Sequence, residues 1–516
     1  MTTEAVPARP ATSAVFDEAP VGFRDGVTVD TESGKLRILS AGGCFALRGL
    51  SDGVREAVIG LTVAPSSPTL LAALLTPAEQ THLRQILTRL GRLLTRYVVD
   101  GERLLVRIEQ TVSDAGHTSA EVPADAWVKL SKFALLRSRN GRLALESPLA
   151  THRVEVLDPA VATLLLSVSA GSVVADLVGE LPAGAVAELL GTLVGAGFVE
   201  VGEPDGETVA FRSDHDATLR QWDFHDLLFH SRSRFGRFDE PFGGIFPYVG
   251  EIDPQPAVKQ PPAGPSVPLP EPALADVLSR DLPLTTVLEG RTSVRKYDAR
   301  PMTIDQLGEF LYRTARVRAT YGPVDGMPYE ATTRPYPCGG AAYELELYVT
   351  VRRCEGLTEG VYYYDAVEHR LVLVNEDPAD REAMLHTASV ATAMQATPDV
   401  LVTMTSRFQR LSWKYRAIAY AVTLKHAGVL YQTMYLVATA MGLAPCGLGS
   451  GDSELAGRVL GLDRLHESSV GEFILGSRPA VDASERPVLP EHWHPGLGPD
   501  WAVASQSALR EQRARR

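Results

Sequence analysis

The chain has 516 residues, enough for roughly three or four domains, and its 45% hydrophobic and 22% charged content is that of an ordinary globular protein. A formal net charge of −13 argues against a nucleic-acid binder, because phosphate backbones attract Lys and Arg. The cysteines, Cys44, Cys338, Cys354 and Cys446, form no CxxC pair and no Cys/His cluster, which excludes a zinc finger by pattern and speaks against a disulfide scaffold.

Residues 1–20 read as a disordered lead-in. They carry no apolar core of a signal peptide, and no run in the chain approaches the ~20 apolar residues that span a bilayer, so a cytoplasmic protein without membrane contact is expected. Leu36–Ile38 and Cys44–Leu47 read as strands. Ala72–Tyr97 places Leu83, Leu87, Leu90 and Leu94 at helical spacing, and Leu104–Ile108 is again extended. A similar order recurs further on. Arg142–Leu145 and Arg153–Val156 read as strands, Asp158–Ser167, Gly171–Val178 and Ala185–Val194 as helices, and Gly197–Val201 as a closing strand. The pattern predicts two winged-helix-like modules, 21–125 and 126–205. The helices of the second carry no Lys or Arg, which favours a peptide over DNA as ligand, gripped by strand addition to an exposed edge.

Residues 206–270 hold an aromatic, His- and Arg-rich stretch followed by a Pro-rich linker, with eight prolines between 254 and 272, expected to act as an extended spacer. Residues 271–480 alternate helices and strands. Asp305–Thr314 and Ala379–Ala391 read as helices; Glu344–Val351, Gly360–Tyr364, Leu371–Val374, Val400–Thr405 and Glu472–Leu475 read as strands. One long helix is expected over Ser412–Met441, stopped by Gly442. The class is therefore α+β, with a mixed sheet around a long central helix. Residues 481–516 read as a C-terminal tail.

Four segments could carry chemistry. In RTSVRKY (291–297), Arg291, Ser293 and Arg295 alternate, so in an extended segment they point one way and suit a phosphate; a solvated basic edge would look the same. In RPYPCGGAAYELELYV (334–349), Gly339 and Gly340 permit close backbone approach to a flat ligand, or simply make a loop. PCGLGSGD (445–452) offers Gly447 and Gly449 to an anion, without the spacing of a dinucleotide fingerprint, or merely ends a helix. Lys414 beside Tyr415 is a common pair that becomes a usable base if both face a buried site, since the ammonium then favours the phenolate. His225 and His230 stand five apart, off a common helical face, and no metal site is expected.

In this order, RTSVRKY, RPYPCGGAAYELELYV, SWKY (412–415), AGVLYQTMYLVATAMGL with its trailing PCGLG, and GEFILGSRP resemble the nitroreductase superfamily. Within it they resemble the SagB/ThcOx-type FMN-dependent azoline dehydrogenases of azole-containing peptide biosynthesis. HDLLFHSRSRFGR (225–237) resembles the segment leading into their flavin domain, and the two N-terminal modules resemble the peptide clamps of longer members. The resemblance implies FMN as cofactor. Arg291, Ser293 and Arg295 would hold its phosphate, with Gly447 and Gly449 in the segment closing over it. Cys338, Gly339 and Gly340 would meet the ring, Cys338 standing where the family usually has Ser. Lys414 and Tyr415 match the pair regarded as catalytic. It further implies a homodimer, a precursor peptide whose leader the N-terminal modules bind, and association with a cyclodehydratase. The rival readings are a general NAD(P)H-dependent nitro or flavin reductase and a non-catalytic peptide-binding scaffold.

Overall fold

The computed structural model describes residues 19–31, 35–40, 43–112, 119–177, 179–206, 208–237, 239–479 and 496–514. Nearly all of the expected disordered lead-in, and 481–495 of the expected tail, lie outside the described residues. The chain forms two compact units, 1–240 and 241–516. Among the described residues no helix is long and apolar enough to cross a membrane.

In the N-terminal unit a six-stranded antiparallel sheet runs Val21–Phe23, Leu94–Asp100, Arg103–Gln110, His152–Val156, Arg142–Glu146, Leu135–Arg139. The pleat sends alternate residues to opposite faces. Val106, Ile108, Leu145 and Val154 join the apolar core with helices Pro159–Ser167 and Ala183–Ala196. Arg107, Glu109, Glu146, Arg153 and Glu155 stand at the intervening positions. Because Arg103–Gln110 pairs with His152–Val156, the expected division at 125/126 passes through one continuous sheet. Among the described residues three small sheets complete the unit. One is Thr28–Asp30, Leu36–Ser40 and Gly43–Leu47, followed by three helices; another joins Trp127–Leu130 to Ser172–Val173 and Val199–Val201; the third pairs Glu203–Asp205 with Thr208–Ala210.

Two helical expectations change here. Ala72–Tyr97 is not one helix. Thr76 and Glu79 form a reciprocal capping box with Pro77 in the first turn, so the helix runs Pro77–Arg89, and Leu94 already begins a strand. The helix expected over Gly171–Val178 is replaced, within its described residues, by the short strand Ser172–Val173 and the 3-10 turn Val174–Asp176, because Ser172 and Val173 pair with Val128 and Trp127.

In the C-terminal unit seven strands lie in the order Ser266–Pro268, Arg370–Asn375, Gly360–Asp365, Leu345–Val351, Val400–Arg407, Glu467–Ser477, Leu443–Leu448. Every pairing is antiparallel, so the expected mixed sheet is corrected. Leu345–Val351 and Val400–Arg407 are buried along their whole length, between two layers. Helix Ala419–Met441 supplies Leu430, Met434 and Ala438 to one core, while Pro378–Ala391 and Ser453–Leu460 cover the other face with Met384, Leu385 and Leu460.

Four further expectations are corrected in this unit. The long helix starts at Ala419 rather than Ser412. The chain passes through a one-turn helix, Gln409–Ser412, and a two-residue strand, Tyr415–Arg416, before Ala417 reverses it with a left-handed φ of 66°. Gly442, φ 76°, caps its far end. PCGLG is largely strand rather than loop, paired with Leu475, Ile474, Phe473 and Glu472. The Pro-rich linker is not a free spacer. Ser266–Pro268 pairs as an edge strand, where a proline costs no ladder bond, and Arg407 and Arg410 donate to the carbonyls of Pro256, Ala257 and Gln255. Finally, Pro499–Ala514 is a helix within the expected tail; its buried Leu509 packs so closely on Gly290 that a Cβ there would lie 2.4 Å from Leu509 Cδ2.

Candidate active site

Lys414 and Tyr415 lie off the long helix, and this is what lets both face one place. Tyr415–Arg416 pairs with Gly243–Gly244 from the aromatic stretch, and the Phe246 N–H donates to the Lys414 carbonyl at 3.1 Å. A Cβ on Gly244 would sit 3.3 Å from the Tyr415 ring, so glycine there allows the wall to close. Lys414 Nζ donates to the Tyr329 hydroxyl at 2.5 Å, and that hydroxyl donates to the Gly340 carbonyl at 2.6 Å. The ammonium lies 4.7, 5.1 and 5.7 Å from the ring centroids of Tyr329, Tyr415 and Phe246, within cation–π range of each.

Gly340 is the meeting point. Its φ is 61°, and a Cβ on it would fall 2.0 Å from Lys414 Nζ and 2.9 Å from the Tyr415 hydroxyl. On the other side of the turn the Gly339 N–H donates to His426 Nε2 at 2.8 Å. That bond uses the Nε2 lone pair, so His426 carries its proton on Nδ1 and donates it to the fully buried Glu344 at 2.8 Å. The Gly339–Gly340 turn is thus held from both sides: its N–H by a Glu–His pair, its carbonyl by Tyr329.

Cys338 completes this corner. Its sulfur accepts the Tyr343 N–H at 3.1 Å and lies 3.5 Å from His426 Nδ1 and 3.7 Å from Glu344 Oε2. Cys338, Glu344 and His426 thereby bring three metal-ligand types within 4.8 Å of one another. Their protonation opposes coordination. Burial and the Glu344 carboxylate push the Cys338 thiol well above its usual range, so the thiolate that binds metals is disfavoured, and the His426 nitrogens are already engaged. The set is a hydrogen-bonded clamp.

A second cluster gathers on Tyr435 of the long helix. Its hydroxyl lies 2.7 Å from Ser293 Oγ and accepts the Gly447 N–H at 2.8 Å, while the Arg291 guanidinium stands 5.1 Å above its ring. The Val294 N–H donates to the Pro445 carbonyl at 2.8 Å, which lays the Arg291–Arg295 segment along the edge strand. Arg291, Ser293 and Gly447 are therefore brought together. Arg295 and Gly449, both exposed, flank the cluster without entering it.

Tyr329, Glu344, His426 and Tyr435 join the site although their roles are not among the expectations from sequence. Glu344 and Tyr435 sit inside segments already singled out, and a histidine with buried neighbours in a helix was a usable signal. Tyr329 had none.

Residues 128–239 match the family model for the cyanobactin oxidase ThcOx, and residues 288–477 match that of the nitroreductase family. The chain is 29% identical over 170 residues to the nitroreductase-type protein MJ1384 of Methanocaldococcus jannaschii, covering 33% of this chain and 80% of that protein. It is 28% identical over 149 residues to the trifolitoxin-processing protein TfxB of Rhizobium leguminosarum bv. trifolii, covering 28% of this chain and only 40% of TfxB. Among solved structures, a chain of the E. coli microcin synthetase McbBCD complex with truncated pro-MccB17 aligns at 20% identity and a TM-score of 0.31, over 37% of this chain and 70% of that one.

Proposed function

Because the chain belongs to the SagB/ThcOx type of the nitroreductase superfamily, we propose that it oxidises thiazolines or oxazolines in a ribosomally made precursor peptide to thiazoles or oxazoles, with FMN as cofactor. The observation that carries this reading is the convergence of the Lys414 ammonium, the Tyr415 hydroxyl and the Gly340 backbone at a point where a Cβ would not fit. The residues suit FMN at both ends. Arg291, Ser293 and the Gly447 segment offer a cation, a hydroxyl and backbone for a phosphate, and the side-chain-free Gly339–Gly340 turn offers a flat approach for a ring.

When bound, FMN supplies the acceptor for the hydride leaving the azoline ring carbon. The chain's own residues handle the proton. The ring C–H next to the carbonyl is the acidic one, and Tyr415 takes it as a phenolate. Lys414 holds a positive charge 5.1 Å from the Tyr415 ring, beside the hydroxyl that handles the proton. Phe246 and the Gly243–Gly244 strand wall the pair on one side.

The N-terminal unit is proposed to hold the peptide. Strand Gly43–Leu47 is the edge of its small sheet and exposes Cys44 and Phe45, a template for strand addition. A homodimer is proposed through the apolar rows Leu274/Leu278 and Leu284/Leu288, all exposed on consecutive helices. A cyclodehydratase that makes the azolines is the expected working partner.

The test is single-turnover bleaching of the bound flavin by an azoline-bearing peptide. Tyr415→Phe and Lys414→Ala should each retain flavin and slow bleaching by roughly 10²–10⁴, the range of a general base. Wild-type rates in both variants would make the pair structural, and a purified protein without flavin absorbance would remove the cofactor.

A further inference from the structure

We propose that Tyr329 is a positioning residue of this site, acting through Lys414; the inference rests on the catalytic reading of the Lys414–Tyr415 pair. Lys414 donates to Tyr329, not to Tyr415, which is its neighbour in sequence. An ammonium has only donors, so the Tyr329 oxygen must accept from it, and the phenolic proton is left for the Gly340 carbonyl. The order Lys414 to Tyr329 to Gly340 is therefore directional. One of the three N–H bonds of Lys414 is spent on a fixed acceptor, which orients the other two.

The surroundings hold Tyr329 in place. It is 5% exposed, with the rings of Phe246 and Trp413 at 6.1 and 6.3 Å. The guanidinium of Arg410, itself buried, donates to the Glu330 carbonyl at 2.8 Å and to the Ala342 carbonyl at 2.6 Å. Arg410 thus ties the residue after Tyr329 to the end of the glycine turn that Tyr329 contacts. The phenol is a strut between two backbone segments, its ring facing the ammonium at 4.7 Å and its hydroxyl supplying the hydrogen bond that fixes Lys414.

Tyr329→Phe removes that hydroxyl and keeps the ring. The variant is expected to keep its melting temperature and its flavin. It should bleach about 10- to 100-fold more slowly at an unchanged half-saturating peptide concentration, as fits loss of one hydrogen bond to a charged group. In a Lys414→Ala background the same change should have no further effect, because the strut then has nothing to orient. A readout independent of the cofactor is acetylation of Lys414 by acetic anhydride in flavin-free protein, followed by mass spectrometry; Tyr329→Phe should raise its rate several-fold. Multiplicative effects in the double variant, unchanged acetylation, or loss of flavin from Tyr329→Phe would each overturn the proposal. Wild-type bleaching by Lys414→Ala would instead sink the catalytic reading of the pair, while the acetylation rate would still decide whether Tyr329 holds Lys414.

Discussion

Two clusters, one in each unit, hold positive charge in opposite ways. On one face of the N-terminal sheet each buried arginine has carboxylate partners: Arg107 meets Glu155 at 2.7 Å, and Arg153 meets Glu146 at 2.8 Å, Glu109 at 3.4 Å and Asp239 at 2.8 Å. In the C-terminal unit Lys414 sits among rings and a hydroxyl, and Arg410 gives its donors to backbone carbonyls. A cation matched by buried carboxylates is neutralised, and its removal strands them. A cation held by neutral acceptors keeps a field that a nearby phenol can feel. The first arrangement is structural; the second is the one for which chemistry is proposed.

The largest expected effect breaks the first arrangement. Arg153→Ala leaves Glu109, Glu146 and Asp239 without their shared partner, and should cost about 3–5 kcal/mol in urea unfolding of the N-terminal unit. A loss within experimental error would show that the ladder is not a unit. Next comes Gly340→Ala. Its methyl would claim the place of the Lys414 ammonium at a φ of 61°, and displacing that group should slow flavin bleaching by roughly 10² or more. Gly428→Ala on the long helix, where a Cβ meets nothing within 4 Å, is the matched control. Equal activity of the two variants would break the link between the glycine turn and chemistry.

Acid should find the same divide. Burial, aided by Arg96 and Arg24, pushes the His152 pKa down to about 4. Burial works against Glu146, but its hydrogen bonds to Arg137 and Arg153 prevail and hold it at about 2. Both folded values lie below the ordinary 6.5 and 4.5, so the unfolded chain binds more protons as pH falls. The stability due to His152 is full above pH 6.5 and is lost towards about 4; that due to Glu146 is full above 4.5 and is lost towards about 2. Thermal melts of the N-terminal transition should therefore fall between pH 6.5 and 4, and His152→Gln should flatten that part of the curve. A transition that stays constant across this window would remove His152 from the account.

How much of this was legible depended on range. Val400–Thr405 could be read because a continuous apolar run suits a strand buried on both faces, and Gly442 because a helix cap needs its left-handed φ. The reversal at Ala417 was not legible. No Gly or Pro marks it, and its cause is the pairing of Tyr415 and Arg416 with residues far back in the chain. The Pro-rich segment carried the composition of a spacer, yet its carbonyls are what Arg407 and Arg410 bind. Of the site, the side-chain types were visible and the clamp was not, since Gly339 and His426 stand 87 positions apart.

The smallest expected effect sharpens the comparison at Cys338, the position at which the resemblance implies a serine. Sulfur here accepts the Tyr343 N–H and points its own proton towards Glu344. A serine hydroxyl can do both, so Cys338→Ser should retain flavin and change stability by no more than about 1 kcal/mol, the worth of one hydrogen bond. The thiol itself should be inert. Burial first, and then the Glu344 carboxylate, raise its pKa far above the pH of any ordinary assay, and it is the thiolate that attacks. Iodoacetamide at pH 8 should therefore label the exposed Cys44 well before Cys338, and the flavin content should not change as Cys44 reacts. Rapid alkylation of Cys338 with loss of flavin would mean that the Glu344 carboxylate is turned away from the thiol. The clamp on Gly339 would then have to be held by His426 alone.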